Sequence, residues 1–317
     1  TALTANTTGI RNDAFGYEAG KALTTGAYNT FIGERAGKSQ TTATENVAVG
    51  SAALSTNTTG TKIVAIGKNA LDASTTGGNN TAVGYYALAA NTTGGSNVAV
   101  GDNALDANTT GGQNVAVGIG AMGASTTASY STAVGSRALL SVTTGIENTA
   151  IGYAAGDAIT TGAGNVFMGL NAGSATTTAN SNVGIGYSTM VANTTGANNV
   201  ALGSVALDAN TTGANNTAVG RAALTGNTTG HSNVSVGESS LAANTTGTIN
   251  TAVGFHALTS NTTAAGNTAI GRLSLDANTT GGYNTAAGLD SLGTNTTGAT
   301  NAAFGGNALY SNTTGNM

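Results

Sequence analysis

A glycine recurs at every seventeenth residue from Gly16 to Gly305, with no insertion or deletion in between. Eighteen such repeats and eleven leading residues, Thr1 to Arg11, account for all 317 residues, and the leading eleven are themselves the back end of one more repeat. A unit this short cannot bury an apolar face alone, so it must stack on copies of itself. The period is too short for the familiar helical repeats, and strict spacing is what a stack needs if every ladder is to stay in register.

Numbered from its leading Asn (Asn80, for instance), the repeat reads Asn-Thr-Ala-Val-Gly-x-x-Ala-Leu-x-Ala-Asn-Thr-Thr-Gly-x-x. Position 2 is Thr or Val in sixteen of eighteen copies, position 5 is always Gly, and positions 13 and 14 are always Thr. Thr, Val, Asn and Gly are poor choices for helix interiors and suit short strands broken by turns. The sequence therefore predicts an all-β chain, a parallel β-solenoid (β-roll) of 18 gapless 17-residue coils over 12–317, with a partial coil over 1–11. Residues 1–317 read as a single solenoid, and at about 4.8 Å per coil the expected rod is on the order of 85 Å long.

Composition narrows the partners. There are 49 Gly, no Pro, no Cys and no Trp, and 7% of residues are charged, but the regularly placed Thr and Val are unlike a disordered chain. A formal net charge of −4 implies no phosphate-binding surface, so nucleic acid is not an expected partner. Without Cys there are neither disulfides nor thiolate metal sites. No stretch approaches the roughly 18 apolar residues of a membrane span. The chain opens at Thr1 without a charged-then-apolar leader, which reads as a processed product or an excised part. Repeat chemistry runs undiminished to both ends and open β ends template further pairing, so the rod is expected to continue by end-to-end stacking or through more chain.

If coils stack, residues at one position form a column, in which like charges repel and opposite charges pair. Position 10 holds Asp72, Asp106, Asp157, Asp208 and Asp276, no two in neighbouring coils. Glu18 with Arg35, Glu45 with Lys62, and Arg221 with Glu238 set opposite charges in adjacent coils, whereas Lys21 over Lys38 breaks the rule. Asn at position 1 suits an amide ladder along the axis, the Thr columns suit similar ladders or turn caps, and Gly at positions 5 and 15 suits turn dihedrals. Four coils carry Ala at position 15, so a positive φ is not obligatory there.

Along the first strand, positions 2 and 4 share one face, and positions 3 and 5 share the other. The bulkier Thr/Val face is expected inside, leaving an exposed Ala/Gly stripe that invites association. Ala65, Ala82, Ala99 and Ala87, with Phe31 and Phe167, are thus the candidate oligomer interface. A volume swap bears on this compartment: position 9 becomes Gly at Gly20, Gly37, Gly156 and Gly173, and next to those coils position 3 becomes Phe31 and Phe167. Two of the Gly coils also carry Leu23 and Ile159 at position 12, as close packing demands. Whether the compartment lies within one chain or between chains is open from sequence. The two sites stand eight repeats apart, which suggests a duplicated block of 136 residues.

Catalytic chemistry is missing from the pattern. The two histidines, His231 and His256, occupy variable positions, acidic residues are scattered, and no Gly-rich stretch such as Gly94-Gly95 is followed by a phosphate-loop Lys. The chain is therefore read as no enzyme, with no catalytic, cofactor or metal residues. Tyr85 and Tyr86 form an aromatic pair that reads first as stacking on a coil edge and second as a ligand contact. Asn-Thr-Thr at positions 12 to 14 matches the N-glycosylation acceptor pattern at Asn57, Asn91, Asn108, Asn193, Asn210, Asn227, Asn244, Asn261, Asn278 and Asn295, with service in a turn as the competing reading.

Asn79-Asn80-Thr81-Ala82-Val83-Gly84 resembles the Asn-Ser-Val-Ala-Ile-Gly motif in the head domains of trimeric autotransporter adhesins, and Asn148-Thr149-Ala150-Ile151-Gly152 is similar. The resemblance touches every repeat over about six of its residues, though that family's typical coil is shorter. It implies left-handed β-rolls associated as trimers on a bacterial surface, binding host or matrix molecules. Related repeats also occur in phage tail-fibre-like proteins. The expected function is thus the shaft of an extracellular or cell-surface fibre, with identical chains as partners in a homotrimer or head-to-tail filament. The alternatives are an adhesin or receptor-binding head with a host or surface ligand, and, more remotely, an ice-binding protein using its Thr columns. Positions 13 and 14 are adjacent and should face opposite ways, which disfavours the last.

Overall fold

The computed structural model describes residues 1–316. The architecture is an all-β parallel β-solenoid of 17-residue coils: eighteen three-residue strands, one per repeat, with no helix among the described residues. The chain forms two compact units, Thr1–Thr161 and Gly162–Met317. In the first, β1 (Asp13–Phe15) to β9 (Thr149–Ile151) pair in chain order, and in the second β10 (Val166–Met168) to β18 (Ala302–Phe304) do the same. The register shifts by one repeat, so that Ala82 in β5 (Thr81–Val83) lies opposite Ala99 in β6 (Val98–Val100).

Backbone pairing continues beyond the strands. Tyr86 N–H donates to the Lys68 carbonyl of the preceding coil at 3.1 Å, and Leu88 N–H to Ala104 of the following coil at 3.0 Å. Serving both neighbours in alternation puts positions 7, 9 and 17 in the left-handed region, as at Tyr86 (φ 55°), Leu88 (φ 53°) and Ser96 (φ 60°). Asn and Gly recur at positions 7 and 17, for example Asn69, Asn103, Asn79 and Gly164, as residues that tolerate that region should.

Glycine at position 5 has a different cause. Gly118 sits at φ 136°, and a Cβ there would lie 2.5 Å from the Gly135 carbonyl oxygen. Position 15 corrects the sequence reading, because it does not adopt a positive φ. Its glycine is there for space: a Cβ at Gly60 would meet Asn57 Oδ1 at 2.6 Å. Three of the four alanines at this position, Ala43, Ala128 and Ala179, stand in coils where position 12 is no longer Asn.

The core is built from positions 3, 8 and 9, with the Asn side chains of positions 1 and 12 closing each coil. Leu54 and Ala53 are buried beside Ala48. Asn46 Nδ2 donates to the Gly60 carbonyl at 2.9 Å and Asn57 Nδ2 to the same oxygen at 3.0 Å, so one carbonyl ties the start of the coil to its end. Asn29 Oδ1 then accepts the Asn46 backbone N–H at 3.0 Å, linking coil to coil. The position-13 hydroxyls continue the theme, as Thr92 Oγ1 donates to the Thr109 carbonyl at 3.0 Å. These bonds satisfy polar groups whose burial would otherwise cost about 1–3 kcal/mol each.

The volume swap is internal to the chain. A Cβ at Gly37 would lie 2.5 Å from Phe31 Cδ1 and one at Gly20 2.7 Å from Phe31 Cδ2, so the buried ring fills the space of two absent leucines. In the second unit a Cβ at Gly173 would lie 2.5 Å from Phe167 Cε1. Smaller compensations follow the same rule. Ser235 and Ser240 replace the position-3 and position-8 alanines of one coil together, and their buried hydroxyls lie 2.6 Å apart.

Candidate interaction surfaces

The six residues assigned from sequence to an oligomer interface, Ala65, Ala82, Ala99, Ala87, Phe31 and Phe167, are all 0% exposed within one chain. They line the coil interior, and no partner reaches them. The assignment inverted the strand because it placed the bulkier side chains inside. The alanine of position 8 and the leucine of position 9, such as Ala87 and Leu88, are buried in the same narrow coil and already fill it. Where position 9 is Leu or Met, position 3 therefore has room only for a small residue, and Val, Ile and Thr at positions 2 and 4 point outward.

The ten candidate glycosylation sites are buried as well. Their amides are in use: Asn210 Nδ2 donates to Asn193 Oδ1 at 2.8 Å and to the Gly213 carbonyl at 3.0 Å. A glycan on that nitrogen displaces a ladder bond and has no room, so Asn at position 12 serves the turn. Where Asn gives way to Ser74, Ser125 or Thr176, the hydroxyl is buried without a partner.

The surface that remains is apolar along the strands. Val47, Val64, Val98 and Val115 at position 2 and Val49, Val83, Val100 and Val117 at position 4 are half-buried, and Ile32, Ile66 and Ile151 are exposed. Position 4 is apolar in every coil and position 2 adds Val alongside Thr residues such as Thr81, Thr132 and Thr149, so each unit carries a long apolar stripe broken by hydroxyls. Tyr17, Tyr85, Ile119 and Tyr153 at position 6 stand exposed along its border in the first unit.

Charge concentrates at one place. Glu18, 9% exposed, accepts Lys21 Nζ on Oε1 at 2.7 Å and Lys38 Nζ on Oε2 at 2.8 Å, while Arg35 Nε stands 3.7 Å from Oε2. This resolves the sequence anomaly, since the two stacked lysines share one carboxylate. Hydrogen bonds from Lys21 and then Lys38 outweigh desolvation and pull the Glu18 carboxyl down to about 2, and Glu18 in turn raises Lys21. Of the column pairs read from sequence, Arg221 with Glu238 and Glu18 with Arg35 form ion pairs, and Glu45 with Lys62 does not. Asp157 pairs with Arg137 at 3.2 Å instead of with its own column. Burial pushes the carboxyls of Asp106, Asp157 and Asp276 upward.

The remaining candidates stay apart. His231 Nδ1 lies 3.3 Å from Ser232 Oγ on the surface, and the His256 ring centroid lies 4.2 Å from that of Phe255. Tyr85 and Tyr86 pack edge to face on each other at 4.4 Å, and Lys68 Nζ of the preceding coil stands 6.0 Å from the Tyr85 ring centroid. Among the described residues no group of three or more His, Cys, Asp or Glu is placed to hold a metal, and no helix is long and apolar enough to cross a membrane. At position 14 the Thr side chains are exposed, whereas position-13 hydroxyls bond to backbone, so the two Thr columns form no common outward face. No protein-family model matches the chain, and no curated protein matches it.

Proposed function

We propose that the chain is the shaft of an extracellular or cell-surface fibre, in which identical chains associate through the outward columns at positions 2 and 4. The observation that carries this reading is the apolar stripe itself. Most coils spend their polar groups on internal ladders and turn β-branched side chains outward, an arrangement that exposes surface a lone chain gains nothing by exposing. A second copy presents the same periodic ridge at the same coil spacing, so its side chains interdigitate along the whole contact, and no other partner is matched to it by construction. The resemblance of the Asn-Thr-Ala-Val-Gly segments to adhesin heads favours three chains as the copy number. It also supports the second reading, an adhesin or receptor-binding head of a trimeric surface protein or phage tail fibre, to which the exposed tyrosines of position 6 add candidate ligand contacts. Electron microscopy of the purified protein separates the two. Long continuous fibres are the expected result for a shaft, and discrete short particles that bear a ligand overturn it in favour of the head.

A further inference from the structure

The stacked lysines do more than tolerate one another. Glu18 holds one ammonium group on each carboxylate oxygen, at 2.7 and 2.8 Å, and each ammonium still has two of its three N–H donors uncommitted. Arg35 adds a third cation, balanced in part by Glu34 at 3.9 Å. Three cations against two carboxylates leave local positive charge on a chain whose formal net charge is −4. Beside the lysines the surface forms a shallow, open groove lined by Thr4, Ala5, Lys21, Ala22, Lys38 and Ser39. Its walls pair the methyl groups of Ala5 and Ala22 with the hydroxyls of Thr4 and Ser39 and the two lysines.

We propose that this groove binds an anionic saccharide, with its carboxylate or sulfate held across Lys21 and Lys38 and its ring seated against Ala5 and Ala22. A saccharide ring has apolar C–H faces and a rim of hydroxyls, which matches methyl groups flanked by Thr4 and Ser39. An oxyanion with two or more oxygens can accept from both ammonium groups at once, and charge-assisted bonds of this kind are about twice as strong as neutral ones. Both ammonium groups are already paired with Glu18, so binding has less lysine freedom to remove. Attraction between partly exposed charges also weakens with salt, because the Debye length falls from about 10 Å at 0.1 M to about 3 Å at 1 M. The site is independent of the shaft assignment, since it uses neither position 2 nor position 4.

Isothermal titration calorimetry on the full chain tests it with four probes: a sulfated hexasaccharide, a hexagalacturonate, maltohexaose and inorganic sulfate. At least one charged saccharide is expected to bind at least tenfold tighter than maltohexaose and sulfate, and more weakly as salt rises. The triple variant Glu18→Gln/Lys21→Gln/Lys38→Gln, which keeps hydrogen-bonding groups and leaves no carboxylate unpaired, is expected to lose that binding with an unchanged circular dichroism spectrum. Arg35→Gln, which leaves Glu18 and both lysines in place, is expected to weaken it severalfold and carries the test if the triple variant fails to fold. The proposal is overturned if no anionic saccharide binds, if sulfate binds as tightly as the saccharides, or if affinity survives these substitutions.

Discussion

At the scale of single residues, the position-12 amide shows how local chemistry and stacking share one side chain. Asn278 Nδ2 donates to Asn261 Oδ1 at 3.1 Å and to the Gly281 carbonyl at 2.9 Å, one bond along the stack and one within its coil. Ser74 interrupts that ladder between Asn57 and Asn91 and buries an unpaired hydroxyl. Ser74→Asn is therefore expected to stabilise the first unit by about 1 kcal/mol, read as a higher denaturant midpoint. Glu18 gives a pH-dependent counterpart. Its carboxyl falls from 4.5 to about 2 on folding, so its contribution is fully present above about 4.5 and is lost as pH falls through about 2. Melting temperature is expected to carry a Glu18-dependent step in that window. Glu18→Gln removes the step and lowers stability at neutral pH, because Lys21 and Lys38 then repel; an unchanged acid profile contradicts this.

At the scale of the coil, what sequence revealed and what it hid have separate physical causes. The period, the parallel stacking and the compensation of Gly20 and Gly37 by Phe31 were legible, since all three leave marks at a fixed spacing. Which face of the strand turns inward was not. Alternation places Thr81 and Val83 opposite Ala82 but does not say which side is the interior, and the deciding fact is that consecutive positions 8 and 9 both point into the coil. That follows from the left-handed backbone at positions 7 and 9, whose trace in the sequence is the Asn and Gly of position 7. Leu54 and Leu71 adopt the same conformation without advertising it. The Phe31 account predicts that Phe31→Ala costs about 3–5 kcal/mol by opening a cavity. Adding Gly37→Leu restores the consensus pair at a φ of 59° where leucine sits in other coils, and should recover a large part of that loss in thermal melts. No recovery contradicts the packing.

At the scale of the whole molecule, the central claim is that the outward Val, Ile and Thr columns join identical chains while the Ala columns only hold each coil together. The two roles separate cleanly by substitution one residue apart. Ala82→Glu buries an unpaired carboxylate inside the coil and is expected to unfold the region, since breaking or omitting a buried partner costs about 3–5 kcal/mol. Val49→Glu, Val83→Glu and Val117→Glu together project from the half-buried outer face two coils apart, so no two carboxylates stack, and are expected to leave the coil intact. Multi-angle light scattering of the wild-type chain and of this triple variant is the most direct test. The account predicts a wild-type mass that is a multiple of 30.3 kDa, three chains by resemblance, and a folded variant at 30.3 kDa. A wild-type chain that stays at 30.3 kDa at high concentration, or a folded variant that keeps the wild-type mass, contradicts it.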